Sequence, residues 1–116
     1  MLDLALNIAA NNSDYPKWPL GAVIVKGGAV MSVGWSKLRN RPTVVAGCSE
    51  HAEQAALRRA RKSDLNGATI FVARVGKGGE PRVAKPCEAC ETALRAAGIK
   101  KVVYTHEDGK EITWRF

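Results

Sequence analysis

Residues 20–35, LGAVIVKGGAVMSVGW, form two short runs of Val, Ile and Ala that break at Gly27-Gly28. Paired glycines between apolar runs suit a tight turn whose central residues need positive φ, so this stretch is expected to be a β-hairpin. Leu2, Leu4, Ala5, Ile8 and Ala9 recur at helical spacing over residues 2–11, before the turn-forming NNSD and Pro16. After the basic loop SKLRNRPTVVAG, a second helix is expected over about 50–61, with Ser49 as its N-cap and Glu50 in its first turn. GATIFVARV (67–75) reads as a strand and GKGGEPRVAK as a loop. PCEACETALRAAG reads as a helix with Pro86 at its first position and Gly98 just past its end. KKVVYT and EITWRF are strands joined by the turn HEDG. The order α-β-β-α-β-α-β-β predicts a three-layer α/β/α domain with a mixed sheet of roughly five strands.

The 116 residues fit one domain, 1–116, and 46% hydrophobic with 25% charged residues is ordinary for a globular chain. No apolar run approaches the roughly 18 residues that span a membrane, and MLDLALNIAA, with Asp3 and no basic leader, reads as a first helix and not a signal peptide. Three cysteines, an odd number, argue against a disulfide framework and for a reducing cytoplasm, where a thiol pair more often serves a metal or redox chemistry. The net charge of +7 suits an anionic partner, a nucleotide or a nucleic acid, or is simply a cationic surface.

Chemistry concentrates at the starts of the second and third helices. Cys87 and Cys90 are three apart and share a helix face at a helix N-terminus, an environment that favours thiolate. His51 and Glu53 open the preceding helix. If the two helices pack on one side of the sheet with converging N-termini, His51, Cys87 and Cys90 can meet one ion, and two thiolates with an imidazole suit Zn2+. Three protein ligands leave a fourth position for water, whose pKa zinc lowers from about 15.7 towards ~7. Glu53 would stand beside that water as a proton shuttle. A rival arrangement adds Cys48, spaced C-x-x-H from His51, to make a closed structural Cys₃His site, and that arrangement leaves Glu53 without a role.

HAE at 51–53 and PCEAC at 86–90 follow the pattern H-x-E…P-C-x-x-C of zinc-dependent nucleobase deaminases. Over nearly its whole length the chain resembles the cytidine/deoxycytidylate deaminase superfamily, and most closely its short phage and bacterial deoxycytidylate-deaminase-like members. The resemblance implies zinc ligands at His51, Cys87 and Cys90, a general acid/base at Glu53, and a base pocket lined by Ala52 and Pro86. It implies hydrolytic deamination of the cytosine of a free nucleotide or nucleoside, dCMP foremost, and assembly as a homo-oligomer. Members of the family often carry G-x-N after the second strand, with the Asn bonded to substrate. Here GWSK puts Ser36 at that position, so Ser36 acts through a water, Asn40 reaches in from the same loop, or the substrate differs.

Other residues have two readings each. Lys37, Arg39 and Arg41 can hold a 5′-phosphate or form a solvated loop. Trp35 can stack on a base or pack in the core. Trp114 and Phe116 suit packing or a subunit contact. RRARK (58–62) reads as a solvated face that fits a helix C-terminus by the macrodipole alone, and His106, near a strand's carboxyl end, can touch substrate or simply belong to a turn. A second functional class is deamination of cytosine or adenine within single-stranded DNA or tRNA, which the +7 charge favours and the scarcity of aromatics disfavours. A third is a non-enzymatic module in which zinc holds the fold and the basic surface binds nucleic acid.

Overall fold

The structure, a computed structural model, describes residues 2–12, 20–35, 37–38, 49–50, 52–60, 64–75, 81–82, 84, 86, 88–106 and 110–116. The chain runs α1 (Leu2–Asn12), β1 (Leu20–Lys26), β2 (Ala29–Trp35), β3 (Lys37–Leu38), β4 (Ser49–Glu50), α2 (Ala52–Arg59), β5 (Thr69–Val75), β6 (Pro81–Arg82), α3 (Glu88–Ala96), β7 (Lys101–Thr105) and β8 (Glu111–Arg115). The expected hairpin is β1–β2, and both Gly27 (φ 60°) and Gly28 (φ 80°) take the positive φ its turn demands.

The sheet order is β2-β1-β5-β7-β8, with β6 paired to β5. Only β5 and β7 run parallel in this sheet; the other pairs are antiparallel, so the sheet is mixed as expected. A parallel pair needs a crossover, and α3 supplies it. Strand alternation sorts the side chains onto two faces. Ala22, Ile24, Ile70, Val72 and Val102 pack with Ala52, Ala56 and Ala60 from the α2 segment and Leu94 of α3. Val23 and Ala73 pack with Ala5 and Ile8 of α1. The result is three layers: α1, the sheet, then α2 and α3 together. The α2/α3 face is the heavier, since Ile24, Ile70, Val72, Leu94 and Val102 are wholly buried there, at about 1.5–3 kcal/mol for each large aliphatic.

Both helix layers approach the sheet at a glycine. A Cβ on Gly21 would collide with the Ala5 carbonyl oxygen and the Ala9 amide nitrogen of α1. A Cβ on Gly34 would collide with the Ala52 carbonyl oxygen and the Ala56 amide nitrogen of α2. Small residues on both sides let α2 lie nearly backbone to backbone on β2, and two polar contacts fix it there. The Ser32 hydroxyl donates to the Ala56 carbonyl at 2.8 Å, and Arg59 Nη1 donates to the Val33 carbonyl at 3.3 Å.

Element ends follow the sequence in part. At the end of α3, Gly98 (φ 91°) donates to the Arg95 carbonyl and Ile99 to the Leu94 carbonyl, each at 3.1 Å. That is the double bond of a glycine-terminated helix, with Leu94 and Ile99 both in the core. The start of α2 differs from expectation. Ser49 and Glu50 are not its N-cap and first turn but the strand β4, paired antiparallel with Lys37–Leu38. Their backbone is committed to that ladder, so the helix begins at Ala52. The helix α3 likewise begins at Glu88, two residues after the buried Pro86. The loop expected over GKGGEPRVAK contains β6, whose Arg82 faces Arg74 of β5. Past α2, Lys26 pairs with Asp64 at 3.3 Å. The Asn66 N–H and then Lys26 hold the Asp64 carboxyl below its ordinary range.

Among the described residues no helix is long and apolar enough to cross a membrane. Gly34→Ala is expected to destabilise the fold by the upper end of about 1–3 kcal/mol, because the added methyl meets backbone, which cannot rotate away. Arg59→Ala should cost about 1 kcal/mol through its hydrogen bond and its ring contact. Urea unfolding of both variants checks the order; equal stability of Gly34→Ala and the parent would contradict the close approach.

Candidate active site

The helix α2 ends in Arg58 and Arg59 and carries Glu53 in its first turn, a charge order that suits its dipole. Its inner face is alanine: Ala52, Ala55 and Ala56 are buried. Glu53 is buried with them, at 3% exposure, and Thr105 is the other buried polar side chain among the described residues. A carboxylate in such a wall is costly unless a cation, a proton or hydrogen-bond donors meet it.

The helix α3 starts with Glu88 and carries Cys90, a wholly buried thiol outside any disulfide, in its first turn. Connectivity brings the two first turns together. The C-terminal end of α2 leads through Asp64–Ala68 into the start of β5, so its N-terminus lies towards the carboxyl end of β5. The helix α3 follows that carboxyl end and runs back beside α2 on the same face, and the two helices touch. Glu53, the second residue of α2, and Cys90, the third of α3, therefore stand in the first turns of neighbouring helices at the carboxyl end of a parallel strand pair, the usual place for ligands in open α/β sheets.

Ala52 is fully buried and Pro86 is buried, both at this end of the helix layer. Lys37 is the strand partner of Glu50, which brings the start of the basic loop beside the approach to α2. Trp35 goes elsewhere. It alternates with Gly34 and so faces the α1 layer, where it packs with Val33 and Phe71 against the α1 cluster. The Arg59 guanidinium lies 3.9 Å from its ring centroid. Trp114 and Phe116 meet edge to face at 5.2 Å and border the α2/α3 core, with Arg95 over Phe116. His106 is exposed, and its backbone N–H closes the β7–β8 turn on the Lys110 carbonyl at 2.9 Å. The expected ligands His51 and Cys87, the rival Cys48, and Ser36, Arg39, Asn40 and Arg41 lie outside the described residues. Among the described residues no three His, Cys, Asp or Glu side chains gather. The donor chemistry nonetheless fits zinc: a buried thiol at a helix N-terminus is a soft ligand in a place that favours negative charge, and a buried carboxylate stands on the facing helix.

Residues 1–106 match the family described as the cytidine and deoxycytidylate deaminase zinc-binding region. The chain belongs to the cytidine and deoxycytidylate deaminase family. A deoxycytidylate deaminase of Mycobacterium phage D29 is 32% identical over 124 residues, covering 85% of this chain and 87% of the phage protein. Two solved structures share the fold. The dCMP deaminase of cyanophage S-TIM5, in complex with dCMP and dUMP, superposes with a TM-score of 0.66 at 24% identity, over 90% of this chain and 77% of that one. Cytidine deaminase from Burkholderia pseudomallei reaches 0.72 at 23% identity, over 98% of this chain and 89% of that one. The family match spans both HAE and PCEAC, so the two helix starts that the fold brings together lie within the deaminase zinc-binding region.

Two residues that shape the surroundings of these helix starts lie outside both motifs. Gly34 seats α2, and a glycine inside a strand is itself a signal of close backbone approach. Thr105 joins three segments at the carboxyl end of β7, and nothing in YTHE distinguishes it from any other strand-end threonine.

Proposed function

We propose that this chain is a zinc-dependent deaminase that converts the cytosine of a free nucleotide or nucleoside to uracil with release of ammonia, dCMP being the favoured substrate. The observation that carries the reading is the pairing of a buried carboxylate, Glu53, with a buried thiol, Cys90, on the first turns of two touching helices in a chain of this family. The 32% identity to a phage deoxycytidylate deaminase supports the choice of dCMP.

His51, Cys87 and Cys90 would hold the ion, and the chemistry it supplies when bound is Lewis-acid activation of water at neutral pH. Glu53 takes one proton from the attacking water and returns it to the ring nitrogen beside C4. It then carries the second to the departing amine, so cytosine and water give uracil and ammonia in balance. The alanine wall around Glu53 excludes bulk water and keeps the carboxylate within one short transfer path. Ala52 and Pro86 line the base, and Lys37, Arg39 and Arg41 serve the 5′-phosphate as charge partners. Ser36 or Asn40 provides the polar contact that an Asn gives in other members. In this reading residues 1–116 act as one domain, in the cytoplasm and as a homo-oligomer.

Chromatographic assay of cytidine, deoxycytidine, CMP, dCMP, a cytosine-bearing single-stranded oligonucleotide and an adenine-bearing tRNA stem-loop tests the reading. dCMP is expected to turn over, and Glu53→Ala to lose at least about 10²–10⁴-fold in rate while still folding. Turnover of only the oligonucleotide or stem-loop would shift the function to nucleic-acid editing and give the +7 charge its use. Zinc bound without turnover of any substrate would point instead to the structural module.

Metal analysis supplies an independent check. The purified protein is expected to carry zinc, Cys90→Ser to lose it, and Cys48→Ala to keep both zinc and fold. Loss of zinc in Cys48→Ala would favour the closed Cys₃His site.

A further inference from the structure

The parallel ladder between β5 and β7 ends at Val72 and Tyr104. Two residues later β5 has a different partner, with Arg74 facing Arg82 of the antiparallel strand β6. Thr105 stands at this change of partner. Its hydroxyl accepts a hydrogen bond from the Arg74 backbone N–H at 3.2 Å, and its carbonyl accepts one from the Ala84 N–H at 3.0 Å. At 1% exposure it has no water to substitute for either bond. One residue thus ties the carboxyl end of β5 and the carboxyl end of β7 to the segment that leads, through the buried Ala84 and Pro86, into the first turn of α3 and Cys90.

We propose that Thr105 is a positioning residue for the metal centre: its hydroxyl-and-carbonyl clamp on Arg74 and Ala84 sets where the chain enters α3, and with it where the Cys90 thiol stands relative to α2. This rests on the reading of His51, Cys87 and Cys90 as zinc ligands. The clamp touches no reacting atom. It works as the outer partners of metal ligands do, by holding a ligand-bearing segment so that affinity is not lost to reorganisation. A threonine suits the post because its branched side chain fits a strand while its hydroxyl accepts the Arg74 N–H.

The test is zinc affinity by chelator competition, measured on the full chain for the parent, Thr105→Val and Thr105→Ser, with thermal unfolding of the zinc-free proteins alongside. Thr105→Val keeps the branched shape and removes the acceptor, and it is expected to weaken zinc binding roughly 10–100-fold. Thr105→Ser retains the hydroxyl and is expected to bind as the parent does. A Thr105→Val protein that melts lower yet holds zinc as tightly as the parent would make Thr105 merely structural and overturn the proposal. If Thr105→Val yields no folded protein, Thr105→Ser decides, since weakened zinc there would assign the effect to the methyl and not the hydroxyl. A parent protein with no measurable zinc affinity would overturn the zinc reading itself, a result distinct from a tight parent whose affinity ignores position 105.

Discussion

Everything at the candidate site depends on how closely α2 lies on the sheet. At Gly34 there is no side chain between strand and helix, and the helix presents alanines, so backbone meets backbone. An ordinary helix packs over side chains and can slide by a fraction of a turn when one of them repacks. Here sliding would drive the helix against the strand's own atoms. The Ser32 hydroxyl on the Ala56 carbonyl and Arg59 on the Val33 carbonyl then fix the helix along its axis. The position of Glu53, one residue into that helix, follows from contacts made by its neighbours.

The same close packing explains why a carboxylate can be held at 3% exposure in a small domain. Burial of charge is destabilising unless it is compensated, and surfaces built for function often carry such a cost, with apolar packing elsewhere offsetting it. The wholly buried aliphatics from Ile24 to Val102 on the α2/α3 face supply that compensation beside the site. In the proposed reading, a metal centre at the two helix N-termini would add a second source of compensation, since both dipoles favour negative charge there.

Much of this was legible in the chain. The glycine pair gave the hairpin, Gly98 gave the end of α3, and HAE and PCEAC contain the starts of α2 and α3, although the starts expected at Glu50 and Pro86 lie two residues too early. What escaped has a common cause: two-residue strands have no periodicity to read. The pairing of Lys37–Leu38 with Ser49–Glu50 moved the start of α2 past Ser49, although Ser49 is a good N-cap by composition. Likewise β6 and the Thr105 clamp arise from segments far apart in sequence meeting at the end of β5. Trp35 illustrates the opposite case. Once Gly34 is known to face α2, alternation alone sends Trp35 to the α1 layer, so its ring was assignable from the strand pattern.

In the proposed function, α2 and α3 hold one open zinc site with Glu53 beside it, and Cys48 is not a ligand. X-ray absorption at the zinc edge tests this most directly, because sulfur and light ligands separate by distance. Two sulfurs at about 2.3 Å with two nitrogen or oxygen neighbours at about 2.0–2.1 Å are expected. Three sulfurs and one nitrogen would contradict the open site, because that is a closed structural site with no position left for chemistry.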